Sequence, residues 1–173
     1  GLLRSAMRSE GPTLYLEPKA LYQDPIAETT IPEDYMVPFG KARTIRDGKD
    51  AVIITYGNTT HMSLVAANKL AEEGGGDVEV IALRSIVHLD KEAILEAAKR
   101  TSKVLIVHED KVFGGIGGEV SAIINSEAFE YLDAPVQRVG STFTPVGFNR
   151  ILEKAILPNA DKIYTALVDL LKY

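Results

Sequence analysis

The residues most able to do chemistry lie in the segment Val104–Val120. Four apolar residues open it and predict a short buried strand, and His108 and Glu109 follow directly. The glycine pairs Gly114-Gly115 and Gly117-Gly118 come next, before apolar residues at helical spacing. An α/β fold builds a ligand site from such a strand, loop and helix at the carboxyl end of its sheet. The adjacent histidine and glutamate are therefore candidates for acid–base chemistry.

The glycine loop does not match a phosphate-binding motif. A Walker loop needs Gly-Lys-Ser/Thr, because the lysine neutralises the terminal phosphates, but Glu119 follows Gly118 here. A dinucleotide fingerprint needs a third glycine where this chain has Val120. A carboxylate in the first helical turn would also repel a bound anion. We therefore favour a structural role, in which the glycines supply positive φ and let the helix pack close to a neighbouring surface.

Other polar residues follow the predicted strands, where ligands bind in open α/β sheets. His61, His88 and His108 show no metal-ligand spacing, and no serine lies in a G-x-S-x-G motif. We therefore assign no catalytic residue, no cofactor-binding residue and no metal ligand, and we keep His108-Glu109 as the one adjacent pair that could do acid–base work. The polar residues at or near strand ends are Tyr56, Asn58, His61, Arg84, Ser85, His108, Glu109 and Arg138.

Composition excludes several classes of protein. The chain has 173 residues, of which 46% are hydrophobic and 25% charged, as is usual for one globular domain. A net charge of −5 argues against a nucleic-acid groove. No apolar run approaches the roughly 20 residues of a membrane span. The absence of cysteine excludes disulfides and thiolate catalysis. We expect partners that are neither nucleic acid nor membrane.

A regular alternation of strands and helices predicts the scaffold from Thr44 onward. Strands joined by crossover helices form a mainly parallel sheet with helices on both faces, which is a three-layer α/β fold. The predicted strands are Ala51–Tyr56, Val78–Leu83, Lys103–Val107 and Pro135–Val139. The predicted helices are Thr59–Glu73, the segment from its cap Asp90 to Arg100, Gly118–Glu127, Asn149–Leu157 and Ala160–Leu171.

The first 43 residues do not follow that alternation. Gly1–Arg8 has the pattern of an amphipathic helix end, and Thr13–Leu16 that of a strand, but neither can bury its own apolar face. We expect residues 1–18 to be the tail of a preceding domain. Residues 19–43 contain three prolines and no periodicity, which predicts a linker ordered by contacts. Residues 44–173 form the main domain.

Nine blocks of the sequence carry a family resemblance, in order: GLLRSAMR, TLYLEPKALY, YMVPFGKA, AVIITYGNTTHMSLVAA, VEVIALRSIVHLD, VLIVHED, the GG-x-GGE segment, LDAPVQRVG and DLLKY. They resemble the beta subunits of thiamine-diphosphate-dependent branched-chain 2-oxo acid dehydrogenases. Pyruvate and acetoin dehydrogenase beta subunits are similar. The resemblance implies a transketolase-type carboxyl-terminal domain, and residues 1–18 are then the remnant of a preceding cofactor-binding domain.

The resemblance implies an assembly and docking domain of the decarboxylase component of a 2-oxo acid dehydrogenase complex. The intact enzyme decarboxylates a 2-oxo acid on thiamine diphosphate with Mg²⁺ and acylates lipoyl groups. This chain matches none of the residues that do so, and we expect it to bind neither group and to be inactive alone. The implied location is the bacterial cytoplasm or the mitochondrial matrix. The alternative function is a stand-alone small-molecule-binding module that uses His108, Glu109 and the glycine loop.

The resemblance also implies three partners, namely the alpha subunit or alpha part, a second beta copy, and the subunit-binding domain of the acyltransferase. It places the acyltransferase on Asp133, Gln137 and the terminal carboxylate of Tyr173, although Asp133 could instead open a turn before Pro135. We expect a subunit interface at the other end of the predicted sheet. Its candidate residues are His108, Glu109, Gly114, Gly115, Gly117 and Gly118.

Two segments depart from the family pattern. Family members read D-L-R-T where this chain has Ala82-Leu83-Arg84-Ser85. They read G-x-D-T-P-x-P where residues 140–147 lack the aspartate, carry Phe143 and end in glycine. These departures leave the substrate subclass open.

Overall fold

The computed structural model describes residues 1–25 and 28–173. Its centre is a five-stranded sheet in the order β1-β3-β2-β4-β5. The strands are β1 Arg43–Arg46, β2 Ala51–Thr55, β3 Val78–Ala82, β4 Val104–Lys111 and β5 Gln137–Ser141. The helices are α1 Leu2–Met7, α2 Thr59–Glu72, α3 Lys91–Thr101, α4 Ile116–Glu127, α5 Arg150–Ile156 and α6 Ala160–Leu170, with short 3₁₀ turns at Lys19–Leu21 and Phe129–Tyr131.

The sheet is parallel except at one edge. Strand β2 pairs in parallel with β3 and β4, and β4 pairs in parallel with β5. The edge strand β1 runs antiparallel to β3. The predicted mainly parallel sheet is therefore confirmed. The strand β1 was not predicted, because four residues that include two arginines give no apolar alternation.

Helices cover both faces of the sheet, which confirms the three-layer architecture. On one face, α2 and α6 bury Leu70, Ile163 and Leu167 against apolar strand residues. On the other face, α3 and α4 bury Ile94 and Ile124 in the same way. The central strands β2 and β3 are buried along their whole length, as a parallel sheet covered on both sides requires.

The structure departs from several predicted elements, and β5 spans Gln137–Ser141 instead of Pro135–Val139. Thr13–Leu16 forms no strand, because no neighbouring chain pairs with it and an isolated strand has no stability of its own. Strand β4 continues four residues beyond Val107, through His108 to Lys111, because β5 runs beside it. Helix α4 begins at Ile116, so Gly117 and Gly118 are helical.

Side-chain donors fix the segment that precedes β1. Arg4 Nη1 donates to the carbonyl oxygens of Pro32 and Glu33 at 2.8 and 2.6 Å. Ser5 Oγ donates to the carbonyl of Val37 at 2.6 Å. These bonds join α1 to the chain that leads into the sheet, and the assignment of residues 19–43 as a linker remains a prediction. Within the described residues, no helix is both long enough and apolar enough to span a bilayer.

Candidate functional site

The extension of β4 places His108 inside the protein at the carboxyl edge of the sheet. Its side chain is 0% exposed. The ring Nδ1 lies 3.1 Å from the backbone carbonyl of Asp110. Because a carbonyl oxygen only accepts, Nδ1 carries the proton of the neutral ring. Nε2 is then an acceptor, and it has no hydrogen-bond partner among the residues that the structure describes.

Three glycines enclose the His108 ring. A Cβ atom on Gly117 would lie 2.3 Å from Nε2, and one on Gly115 would lie 2.9 Å from Cε1. A Cβ on Gly140, in β5, would lie 3.0 Å from the same Cε1 atom. The neighbouring surface against which the helix packs closely is therefore the ring of His108 itself. A role of these residues at a subunit interface remains a prediction.

Burial sets the ionisation of His108. Its loss of solvent lowers the pKa of the imidazole from the ordinary 6.5, and the nearby Arg138 charge acts in the same direction. The hydrogen bond to the Asp110 backbone and the Asp110 charge raise the pKa, but less than burial lowers it.

The Tyr56 ring is stacked on this histidine with its centroid 6.3 Å away. Burial also raises the pKa of Tyr56 above 10.0. Both groups are thus held neutral at the sheet edge.

His108 and Glu109 do not form an acid–base pair. Successive side chains of a strand point to opposite faces, so the histidine is enclosed while the glutamate is exposed. Arg138 Nη1 donates to the carbonyl of Val112 at 3.2 Å and braces the loop before α4. The arrangement supports packing of strand, loop and helix and argues against a ligand crevice built on His108.

The other polar residues at this edge also serve the scaffold. Arg84 Nε donates to the carbonyl of Lys41 at 2.9 Å, and Ser85 Oγ accepts from the backbone N–H of Gly40 at 3.1 Å. Both bonds fix the approach to β1. Asn58 caps α2 without a side-chain hydrogen bond, and His61 is exposed in the first turn of that helix.

An exposed aromatic rim borders the same edge. The rings of Phe113 and Phe143 meet edge to face with centroids 4.8 Å apart, although the two residues are 72% and 70% exposed. Phe148 is fully exposed, and α5 buries none of its residues. Phe143 belongs to the segment that departs from the family pattern, and its contact explains how that segment is held.

A groove of about 410 Å³ lies at the opposite, amino edge of the sheet. In its wall, Ser102 Oγ donates to Asp133 Oδ2 at 2.5 Å, and the Asp133 backbone N–H donates to the Ser102 carbonyl at 3.0 Å. The pair of bonds fixes the aspartate carboxylate at the groove. The lining residues are Lys49, Asp50, Gly75, Gly76, Thr101, Ser102, Lys103, Asp133 and Leu171.

One of the three predicted docking residues lines this groove. Asp133 lines it, and the terminal residue Tyr173 is exposed two positions after the lining residue Leu171. Gln137 is half-buried at the start of β5, paired in register with Leu105. The eight residues of β4 separate this group from the carboxyl edge by about 25 Å. The candidate residues thus form two groups at opposite ends of the sheet.

The sequence profile of one family, described as the transketolase C-terminal domain, matches residues 40–163. The chain belongs to this family. The chain is 41% identical over 175 residues to the 2-oxoisovalerate dehydrogenase subunit beta of Bacillus subtilis strain 168, covering 100% of this chain and 53% of that protein. It is 39% identical over 168 residues to the mitochondrial pyruvate dehydrogenase E1 component subunit beta-1 of Arabidopsis thaliana, covering 96% of this chain and 46% of that protein.

Solved structures show the same fold. A chain described as a split-gene transketolase in an inactive beta4 tetramer has a TM-score of 0.70 and 26% identity, covering 84% of this chain and 46% of that chain. This chain spans about half the length of the curated relatives that it matches. The transketolase C-terminal fold predicted from the sequence is therefore confirmed.

The transketolase C-terminal domain described here does not fit a thiamine diphosphate site. The glycine loop at α4 is filled by His108, and Glu119 occupies the first turn of that helix. In the described part of the chain, no group of three or more histidines and carboxylates could hold a metal ion. The glycine loop therefore offers no diphosphate cradle, and the described residues offer no set of three ligands for Mg²⁺.

Sequence reasoning missed the two lysines of the groove. Lys49 precedes β2 and Lys103 precedes β4, and 54 positions separate them in the sequence. Only the parallel pairing of those strands brings both residues to one edge. The signal that could have found them is positional, since residues that precede paired parallel strands meet at the amino edge of the sheet.

Proposed function

We propose that this domain is the assembly and docking domain of the decarboxylase component of a 2-oxo acid dehydrogenase complex, of the 2-oxoisovalerate type. The observation that carries the proposal is the groove at the amino edge, where Ser102 fixes the Asp133 carboxylate. The names of the relatives support it, since they are beta subunits of 2-oxoisovalerate and pyruvate dehydrogenases.

The occupant that we propose for the groove is the subunit-binding domain of the acyltransferase. The fixed Asp133 carboxylate offers negative charge to a basic partner. The whole chain adds to this attraction with its net charge of −5. Exposed charges of opposite sign steer association and are screened by salt. Docking at this groove should therefore weaken as ionic strength rises.

The remaining partners would be an alpha subunit or alpha part and a second copy of the beta chain. The solved relative described as a beta4 tetramer supports self-assembly of such chains. We place residues 1–18 in a preceding domain, since Leu14 and Leu16 are largely exposed here. The bacterial cytoplasm or the mitochondrial matrix would be the location, in line with the bacterial and mitochondrial relatives.

The chain is part of an oxidoreductase in this proposal, but it performs no chemistry alone. Thiamine diphosphate and Mg²⁺ would be held elsewhere in the intact enzyme, since the residues described here do not fit them. The purified 173-residue chain should show no decarboxylation of 2-oxo acids when both are added. Measurable turnover would contradict this part of the proposal.

The docking experiment uses the complete decarboxylase and the cognate subunit-binding domain. One variant lacks Lys172 and Tyr173, a second carries Asp133→Asn, and a control carries Asp34→Asn at an exposed position away from the groove. Calorimetry at two ionic strengths should show weaker binding for the first two variants and parental binding for the control. Unchanged affinity in both groove variants, or affinity independent of salt, would refute the docking assignment.

A further inference from the structure

The groove at the amino edge carries both signs of charge. Lys49 and Lys103 line it together with Asp50 and Asp133. A surface designed for a purely basic partner would carry carboxylates and exclude lysines, because like charges across an interface disfavour binding. A purely acidic docking surface therefore does not account for Lys49 and Lys103.

The two aspartates are engaged within the protein, whereas the lysines are not. Asp50 Oδ2 accepts the backbone N–H of Asp77 at 2.7 Å, and Asp133 Oδ2 accepts the Ser102 hydroxyl. Among the ion pairs of the described residues, none includes Lys49 or Lys103. Both ammonium groups are thus available to a partner.

We infer that the groove is a two-signed docking site. In it, Asp133 receives a cation of the acyltransferase's subunit-binding domain, while Lys49 and Lys103 receive a carboxylate of the same domain. This inference rests on the proposed function and names the chemistry of the partner. The docking segment of that domain must then present a basic and an acidic side chain together. Such an arrangement fixes the orientation of the partner, which a purely acidic groove would leave free.

Ser102 is the positioning residue of this site. It ends α3 in the left-handed conformation, with a φ of 55°, which turns the chain towards Asp133. Its hydroxyl and its carbonyl then bind the side chain and the backbone of that aspartate. Glycine adopts the same φ without strain, so Ser102→Gly removes the hydroxyl while keeping the helix end.

A two-signed groove and a purely acidic groove predict opposite effects of removing the lysines. The double variant Lys49→Gln/Lys103→Gln takes the net charge from −5 to −7. A purely acidic groove would then attract a basic domain more strongly. A two-signed groove would bind it more weakly, because the partner's carboxylate loses both of its cations.

The test measures the affinity of the complete decarboxylase for the cognate subunit-binding domain at low and at physiological ionic strength. The matched control is Lys19→Gln/Lys154→Gln, which removes the same charge from two exposed lysines outside the groove. We expect the groove pair to lose roughly three- to tenfold in affinity, as two exposed ion pairs would. The control pair should bind at least as tightly as the parent. Equal or tighter binding by the groove pair would overturn the inference.

Asp133→Asn in the same assay separates this inference from the proposed function. If Asp133→Asn weakens binding and Lys49→Gln/Lys103→Gln does not, the groove still docks its partner but recognises only positive charge on it. That outcome overturns the inference and leaves the proposed function intact. If Asp133→Asn has no effect, the docking function itself fails, and the inference with it. Ser102→Gly should lose part of the affinity that Asp133→Asn loses while keeping parental stability to urea. If Ser102→Gly binds the domain as tightly as the parent, Ser102 is not a positioning residue.

Discussion

The two ends of the sheet differ in what fills them. At the carboxyl edge, His108 is 0% exposed and three glycines close around its ring. At the amino edge, a groove of about 410 Å³ stays open between loops that carry charged side chains. Open α/β sheets usually bind ligands at the carboxyl edge. In this domain, the histidine and the glycines at the carboxyl edge serve packing. The docking surface that we propose lies instead among the charged surface residues of the amino edge.

The difference has a physical origin in what each edge must satisfy. A buried imidazole is tolerated when it is neutral and hydrogen-bonded, and the Asp110 carbonyl supplies that bond. The charged residues of the amino edge remain in contact with water and cost little in the free protein. Substitutions at the carboxyl edge should therefore lower the free energy of unfolding. Substitutions at the amino edge should lower the affinity for the proposed partner.

The largest expected effect comes from filling the space beside His108. Gly117→Ala places a Cβ 2.3 Å from the ring Nε2, so the strand and α4 must move apart. We expect a loss of about 1–3 kcal/mol in the free energy of unfolding, measured by urea denaturation. Gly118→Ala is the control in the same helix, because its Cβ would lie 3.5 Å from the Arg138 guanidinium. It should be neutral or stabilising by up to about 1 kcal/mol, and equal losses in both variants would contradict the packing account.

Acid should weaken the carboxyl edge through His108. Burial lowers its folded-state pKa, while the unfolded chain protonates near 6.5. The stability that neutral His108 contributes is thus complete above about pH 6.5 and is lost as the pH falls through that value towards the lower folded-state pKa. Asp110, Arg138 and Tyr56 are the ionisable groups beside the ring.

Urea denaturation between pH 7.5 and 5 measures this contribution. The contribution of His108 to the change of unfolding free energy with pH should reach at most about 1.4 kcal/mol per pH unit, the limit for one proton. His108→Asn keeps a donor near the Asp110 carbonyl but cannot titrate, so its slope in this window should be smaller than that of the parent. Identical slopes in the two proteins would show that His108 is not the responsible group.

A smaller effect is expected at the aromatic rim. Phe113 and Phe143 touch edge to face, but both are largely exposed. Phe143→Ala should cost about 0.5 kcal/mol, the low end for an aromatic pair. The double variant with Phe113→Ala should cost little more, since the contact is already lost. A cost above about 2 kcal/mol for Phe143→Ala would show that the rim belongs to the packed core.

The smallest effect on stability is expected at the amino edge. Lys49→Gln/Lys103→Gln should change the free energy of unfolding by less than about 0.5 kcal/mol, because neither lysine forms an ion pair among the described residues. Thermal and urea denaturation of the isolated chain measure it. A clear loss of stability would mean that these lysines hold the fold, and the contrast between the edges would weaken.

The scaffold was predictable wherever burial leaves a continuous apolar run. Strands β2 and β3 and helices α2, α3 and α6 lie within about a turn of their predicted bounds. Strand β1 and the end of β4 were missed, because their polar residues are held by neighbouring strands that a local pattern does not reveal. Thr13–Leu16 shows the converse, since strand propensity without a partner forms no strand.

The site was less predictable than the scaffold, for the same reason. The sequence distinguished the glycine loop from phosphate motifs, but the contact of the loop with the His108 ring became visible only when β4 and α4 were in place. The groove is assembled from loops that are distant in the sequence, so Lys49 and Lys103 carried no local signal. Asp133 came from a family resemblance, and the Ser102 hydroxyl that fixes it is new from the structure.

The most direct test of the contrast between the edges is hydrogen–deuterium exchange of the complete decarboxylase with and without the cognate subunit-binding domain. We predict slower exchange on binding in the groove segments around Gly75-Gly76, Thr101–Lys103 and Asp133. Exchange at Gly114–Gly118 should stay unchanged, because that loop is closed on His108 in the same chain. Slower exchange at the glycine loop together with no change in the groove would contradict the account.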